Sequence, residues 1–485
     1  MKRLLPLGFL LTSLLFIPQL VTAQTADITP YAPDGVERLL LVSPDGTKVV
    51  AAKDLQAQTL CVYSVPSGDE ISCADLQPQR IRINITDLAW SPDSSTVVFA
   101  ERPLVLFVDG DIWTMDAATG ELTNVTDDNY EGELPIIEEQ TNDQPVFADV
   151  TPRFSPDGKS IAFSRTTIVA PGMDAPSELW VLDLTTGESR MVAQVSTQEP
   201  GVLYFNLAWS PDATTVYVSL FHADQSDPEN GIWAVDVASG DRAQIAGATD
   251  DFNGAAPAVT AVSPLATALT VYYPAVLGQF GAEIQSGFGL LELESGEITP
   301  IEAPASLGTD TVPAAVLAPG FSPDGSSLLF VVRGFTNDSA ALVIRDLESG
   351  DERIIPLSDS AIPTINNYGD GTVLGADGNA FVLTTINTAD LVPIDDPSLL
   401  EQPETTTTRA AATPEPSAAI THEITGVYVQ LYAAPTSEAP VVFVFSAGDR
   451  VEQIGEPVEV DGETWVPVRD PASGTIGYIL AENLE

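Results

Sequence analysis

The stretch "LAWSPDATTVYVS" (Leu207–Ser219), followed by "IWAVDVASGD" (Ile232–Asp241), decides the fold. Ser-Pro-Asp suits a tight turn. Ser takes the first position, Pro fixes φ at the second, Asp takes the third and, where present, Gly the fourth. The flanking residues are apolar, often β-branched or aromatic, and alternate at short range, which is strand-like rather than helical. The Ser-Gly-Asp end of the second stretch supplies a Gly for a left-handed position in another hairpin. Such a unit reads as four short strands joined by three turns.

The unit recurs. Ser-Pro-Asp lies within "LLLVSPDGTKVVAA" from Leu39, "LAWSPDSSTVVFA" from Leu88, "PRFSPDGKSIAFS" from Pro152 and "PGFSPDGSSLLFV" from Pro319. Weaker copies are "TAVSPLATALTVYY" from Thr260 and "TVLGADGNAFVLTT" from Thr372. The anchors fall at Ser43, Ser91, Ser155, Ser210, Ser263, Ser322 and Gly375, spaced 48 to 64 residues apart. A second element with a Gly-acid turn follows the first six, as in "IWTMDAATGE" from Ile112 and "LWVLDLTTGE" from Leu179. Four-stranded repeats of this length predict an all-β chain folded as a β-propeller. Seven anchors predict seven blades. Six is the alternative, because the seventh anchor lacks Ser-Pro and a good second element. An array of β-sandwiches is disfavoured, since sandwiches need no regular turn motif.

The paired Ser-Pro-Asp-Gly and Trp-x-x-Asp-x-x-Thr-Gly elements resemble the TolB-like, WD40-like (PD40) propeller repeats of periplasmic proteins. They also resemble the N-terminal propellers of prolyl-oligopeptidase-type peptidases. The resemblance covers residues 30–395 and implies a fold more than an activity.

Strand direction alternates within a blade, so the Ser-Pro-Asp and Thr-Gly turns share one end. The loops Glu101–Asp111, Asp127–Val150, Arg165–Glu178, Leu220–Gly231 and Pro274–Phe288 vary and share the other end, where recognition is expected. Ser-Pro-Asp is read as turn chemistry. The most polarised loop carries Asp127, Asp128, Glu131, Glu133, Glu138, Glu139, Asp143 and Asp149 with no Lys or Arg between Asp127 and Asp149. Clustered oxygens suit a hard cation such as Ca2+. The same acids also read as a solvated loop, and no ligand spacing of the Asp-x-Asp-x-Asp-Gly type favours calcium.

Met1 to Ala23 reads as a secretory signal: Lys2 and Arg3, an apolar run from Leu4 to Leu20, then small residues before Gln24. A secreted or periplasmic, envelope-facing product is expected, with no transmembrane helix after cleavage. Export makes a disulfide between Cys61 and Cys73 expected, because the two flank a Pro-Ser-Gly turn symmetrically.

Residues 396–420 read as a disordered Thr/Pro/Ala linker. Residues 421–485 return to short strands and Gly-rich turns. Gly448-Asp449-Arg450-Val451, Trp465-Val466-Pro467-Val468-Arg469 and Gly474-Thr475-Ile476-Gly477-Tyr478-Ile479 resemble the bacterial SH3-like (SH3b) domain. That resemblance implies a small barrel with an interaction role, with Tyr428, Tyr432, Trp465 and Tyr478 as candidates to line a groove. The alternative is that most of them are core residues.

With 19 Lys+Arg against 69 Asp+Glu, the formal charge is −50. Such a surface repels phosphate backbones and excludes nucleic acid as a partner. Two His, His222 and His422, cannot build a multi-His metal enzyme; both read as incidental, and no resident cofactor is expected beyond the calcium candidate. No Gly-x-Ser-x-Gly elbow occurs. The expectation is a monomeric, exported, non-enzymatic binding platform. Its propeller would meet a protein, peptide or cell-wall glycan and its SH3-like domain would serve as a tether. The alternative is a carboxylate-based carbohydrate-active propeller enzyme with an accessory binding domain, since two acids need no motif.

Overall fold

The computed structural model describes two stretches of the chain. The first is residues 28–400 apart from 55, 79–80, 82, 84–86, 102–109, 128–145, 169–176, 197–205, 223–226, 248–255, 274–286, 305, 308–314, 334–339, 358–372, 376, 385 and 395. The second is 421–484 apart from 426–428, 433–440, 446–449, 454–456, 461–462 and 470–475. The chain divides into two compact units, Met1–Gln402 and Pro403–Glu485. The leader expected at residues 1–23 lies outside the described residues. Among the described residues no helix is long and apolar enough to cross a membrane.

The first unit is a seven-bladed β-propeller, which settles the choice between six and seven. Six blades are four-stranded antiparallel meanders in chain order; blade 1, for example, comprises Arg38–Val42, Lys48–Ala52, Thr59–Ser64 and Glu70–Asp75. Blade 7 is built differently. Val373–Leu374, Asn379–Leu383 and Ala389–Pro393 supply three strands, and the N-terminal strand Thr29–Tyr31 pairs with Ala389–Pro393 as the fourth. The missing second element of the seventh repeat is thus replaced by a segment more than 300 residues away in sequence, which locks the ring.

A buried apolar cluster fills every blade interface. Blades 1 and 2 share one around Val50, Leu60, Trp90 and Phe99, and blades 6 and 7 another around Leu329, Leu342, Val382 and Val392. Closure is completed by a cluster of Leu39, Val49 and Tyr63 from blade 1 with Tyr31, Phe381 and Leu391 from blade 7. Adjacent residues of a strand point to opposite faces, and each blade is covered on both. Val50 accordingly packs towards blade 2 while Val49 packs towards blade 7. This is why second strands such as "KVVAA" and "TVVFA" read as unbroken apolar runs.

The Ser-Pro-Asp turns act as expected. Ser91 Oγ donates to Asp93 Oδ1 at 2.6 Å and accepts the Thr96 N–H at 2.9 Å; Ser43, Ser155, Ser210 and Ser322 repeat both bonds. Hydrogen bonds from Ser155 and Lys159 hold the Asp157 carboxyl down at about 2. At the fourth turn position φ is positive, +72° at Gly46 and +57° at Ser94. Gly46 also needs to be Gly for space, since a Cβ there would lie 2.5 Å from Gly375 Cα, where blade 1 meets blade 7. Trp90 and Trp209, which precede two of these turns, donate Nε1 to the Leu41 and Arg153 carbonyls of the preceding blade, at 3.1 and 3.0 Å.

Cys61 and Cys73 are paired across the two outer strands of blade 1 and are bonded, with a Cα–Cα distance of 4.0 Å. The bridge closes a loop of sequence separation 12, and constraint of the unfolded chain by such a loop is worth about 2–3 kcal/mol. A Cys61→Ala/Cys73→Ala variant should therefore lose stability of this order in guanidinium denaturation of the full chain.

The unit boundary differs from the sequence expectation. Pro397–Leu400 forms a 3-10 turn, and Leu399 is buried in the cluster of blades 6 and 7, so the first residues assigned to the linker belong to the propeller. In the second unit six strands form one sheet path, with Thr421–Glu423 at one end and Val441–Phe445 at the other, and Val458–Val460 pairs beside it with Glu463–Arg469. Its core is Ile424, Val429, Val451, Val466, Val468 and Ile479.

Candidate functional site

Three of the variable loops leave the propeller where blades 2 and 3 meet, and their roots converge. Glu101 ends the second strand of blade 2 (Thr96–Ala100), and its N–H donates to the Asp111 carbonyl at 2.8 Å. Asp111 precedes the third strand (Ile112–Asp116) and accepts the Asn124 side-chain amide at 2.7 Å. The first strand of blade 3 (Val146–Phe154) then runs alongside. Asp149 N–H donates to the Gly110 carbonyl at 2.7 Å, and Gly110 N–H to the Phe147 carbonyl at 3.2 Å. Backbone bonds across the blade boundary thereby bring Glu101, Asp111 and Asp149 together.

The electrostatics follow from burial. Glu101 is half-buried, and its Oε2 accepts Trp113 Nε1 at 3.2 Å. Burial lifts its carboxyl to about 7; the indole bond opposes the rise, and the negative charge of Asp111 adds to it. Asp149 is only 1% exposed. Burial lifts its carboxyl above the ordinary range, and the hydrogen bonds and charge of Arg165 oppose the rise. Arg165 holds it by two bonds, Nε to Oδ1 at 2.7 Å and a terminal nitrogen to Oδ2 at 2.6 Å. The guanidinium also lies 4.5 Å from the Trp180 ring centroid and 4.9 Å from that of Phe147. Glu101, with its raised carboxyl, lies within electrostatic reach of a second carboxyl group, Asp111.

Several expected site residues fall elsewhere. Asp127 is described and exposed, whereas Asp128, Glu131, Glu133, Glu138, Glu139 and Asp143 lie outside the described residues. Asp149 belongs to the buried ion pair with Arg165 and not to an open cation loop. In the second unit Trp465 is 1% exposed and is a core residue, and burial of the full indole removes it from any groove. Tyr478 is half-buried and its backbone pairs with that of Tyr432; Tyr428 lies outside the described residues. His422 Nε2 lies 2.9 Å from Gln453 Oε1. His222, read as incidental, is buried, with Asp227 and Glu229 close by. In the sequence Glu101 and Asp111 stand out only as the limits of a variable loop, because nothing in the spacing reports that Asp149 lies near them.

No protein-family model matches the chain. A dipeptidyl-peptidase 5 from Porphyromonas gingivalis is 26% identical over 181 residues, which are 36% of this chain and 23% of the relative. The match thus spans under a quarter of the relative's length. Among solved structures, an oligogalacturonate lyase in complex with manganese matches 77% of this chain and 92% of its own at 14% identity and TM-score 0.43. The β-propeller domain of the trilobed protease from Pyrococcus furiosus matches 73% and 93% at 12% identity and TM-score 0.41. An acylaminoacyl peptidase from Pyrococcus horikoshii matches 90% of this chain and 57% of its own at 12% identity and TM-score 0.40. The expectation of a non-enzymatic binding platform is overturned by the peptidase relative, whose sequence is shared over part of the chain. What the chain is can be stated at the level of fold: a seven-bladed β-propeller.

Proposed function

We propose that the chain is an exported carbohydrate-active enzyme whose acid–base chemistry is carried by carboxylates at the junction of blades 2 and 3. The observation that carries this reading is the half-buried Glu101, bonded to Trp113 and set beside Asp111, which keeps a proton available near neutral pH. Glu101 is the proton donor to a leaving oxygen, and Asp111 is the partner carboxyl group that acts as base or stabilises developing positive charge. Arg165 and Asp149 are positioning residues that fix the strand from which the site is built. Glycosidic bonds suit this equipment because their cleavage needs two carboxyl groups and no serine nucleophile. Pro403–Glu485, with its six-strand path and resemblance to SH3-like domains, is an accessory domain in this reading.

A second reading is favoured by the relative's name: the propeller handles peptides. Incubation of the full chain with a panel of neutral and acidic polysaccharides, and separately with dipeptidyl chromogenic substrates, separates the two. New sugar ends released from a polysaccharide are expected. Turnover of the peptide chromogens alone would move the assignment to peptides, and turnover of neither would overturn it.

A further inference from the structure

Blade 4 carries a second cluster at the same end of the propeller as Glu101, in the loop between its second and third strands (Thr215–Leu220 and Gly231–Asp236). Ligand atoms of His222, Asp227 and Glu229 all lie within 4.8 Å of one another. The His222 side chain is 3% exposed, and its Nε2 has no hydrogen-bond partner among the described residues. Leaving a buried ring nitrogen unmatched costs about 1–3 kcal/mol, so the position calls for an explanation. The nitrogen faces Glu229 Oε2 at 3.5 Å. That separation is too long for a good hydrogen bond. It fits two ligands of one tetrahedral ion, because metal bonds near 2.0–2.1 Å put ligand atoms about 3.3–3.4 Å apart.

We propose that His222, Asp227 and Glu229 bind one divalent transition-metal ion of the zinc type, with a fourth position open to water or a ligand atom. One imidazole nitrogen with two carboxylate oxygens favours zinc or manganese over calcium, which prefers an all-oxygen shell. The surroundings hold the ligands in place. Asp227 Oδ1 accepts the Glu229 N–H at 2.9 Å, and Asn230 Oδ1 accepts the His222 N–H. The carbonyls of Pro228 and Asn230 are held by the Gln244 side-chain amide at 2.9 and 3.0 Å, and the Glu229 carbonyl by Trp233 Nε1 at 2.9 Å. Arg242, stacked 4.8 Å from the Trp233 ring centroid, approaches the other Glu229 oxygen at 3.8 Å and orients the carboxylate. Outer contacts of this kind fix ligand geometry and affinity. The site is independent of the carbohydrate assignment.

The test is zinc titration of the chelator-stripped full chain against a chromophoric competitor, repeated with manganese, together with visible absorption of the cobalt(II) form. One equivalent of tightly held zinc is expected, with cobalt d–d bands of a low-symmetry site. His222→Gln and Glu229→Gln should each weaken binding at least tenfold and abolish those bands, while His422→Gln leaves both unchanged. Glu229 is 35% exposed, so its variant decides the matter if His222→Gln does not fold. No stoichiometric retention of either metal, or equal affinity in wild type and Glu229→Gln, would overturn the site and leave only adventitious binding to an acidic surface.

Discussion

Replacing Glu101 with Gln should abolish turnover while making the protein more stable. A general acid contributes about 10²–10⁴ in rate, so kcat on the polysaccharide identified by the screen should fall by at least a hundredfold with KM little changed. The stability effect has the opposite sign. The Glu101 carboxyl sits at about 7 in the fold, against an ordinary value of 4.5. The unfolded chain therefore releases this proton first, and Glu101 progressively destabilises the fold as pH rises from about 4.5 through 7. Gln carries no charge to desolvate. The variant should gain stability above pH 7, by about 1–2 kcal/mol once the group's partial exposure is allowed for, and nothing below pH 4. A residue whose removal stabilises the fold and ends activity is retained for chemistry rather than architecture. Chemical denaturation at pH 8 and pH 4, alongside the kinetic assay, checks both halves. A Glu101→Gln protein that is destabilised, or that turns over at the wild-type rate, would remove Glu101 from the site.

The second large effect is structural. Arg165→Leu leaves Asp149, 1% exposed, as a buried carboxylate without its two charge-assisted bonds. Breaking a buried pair from one side costs about 3–5 kcal/mol, and loss of the guanidinium from the Trp180 and Phe147 faces adds to it. Without the pull of Arg165, the Asp149 carboxyl rises further above its unfolded value. The penalty is therefore larger at pH 8 than at pH 4, because it shrinks relative to wild type as Asp149 takes up a proton. The double variant Arg165→Leu/Asp149→Asn should recover most of the loss, because neither charge then remains buried. Guanidinium denaturation of the four proteins of this cycle at both pH values measures the coupling. An Arg165→Leu cost under 1 kcal/mol at pH 8 would mean that the pair does not brace the strand carrying the site.

Much of the propeller was legible because its signals are local. Ser-Pro-Asp followed by a left-handed residue dictates a turn within five residues, and the apolar runs beside it need only neighbouring blades to cover them. The fourth strand of blade 7 was not legible in this way. Thr29-Pro30-Tyr31 is three residues long, holds a Pro and pairs with Ala389–Pro393, so its role depends on ring closure rather than on its own composition. The candidate site was half visible. Loop variation picked out Glu101–Asp111, Asp127–Val150 and Arg165–Glu178, and the carboxylates and Arg165 stand at the ends of those ranges. Their chemistry was hidden, because the Glu101 proton depends on burial and on Asp111, and Asp149 reaches them across 48 residues of chain. A missing serine elbow does not exclude catalysis, because paired acids leave no motif, and neither does a His that meets Asp227 and Glu229 only across a folded loop.

The most direct test of the central claim is the titration of the Glu101 side-chain carboxyl by carbon-13 NMR on glutamate-labelled full chain, with the resonance assigned by its loss in Glu101→Gln. A midpoint near 7, accompanied by loss of catalytic activity through the same pH range, is the predicted result. A midpoint near 4.5 would contradict it, because a carboxyl already ionised at neutral pH has no proton to give.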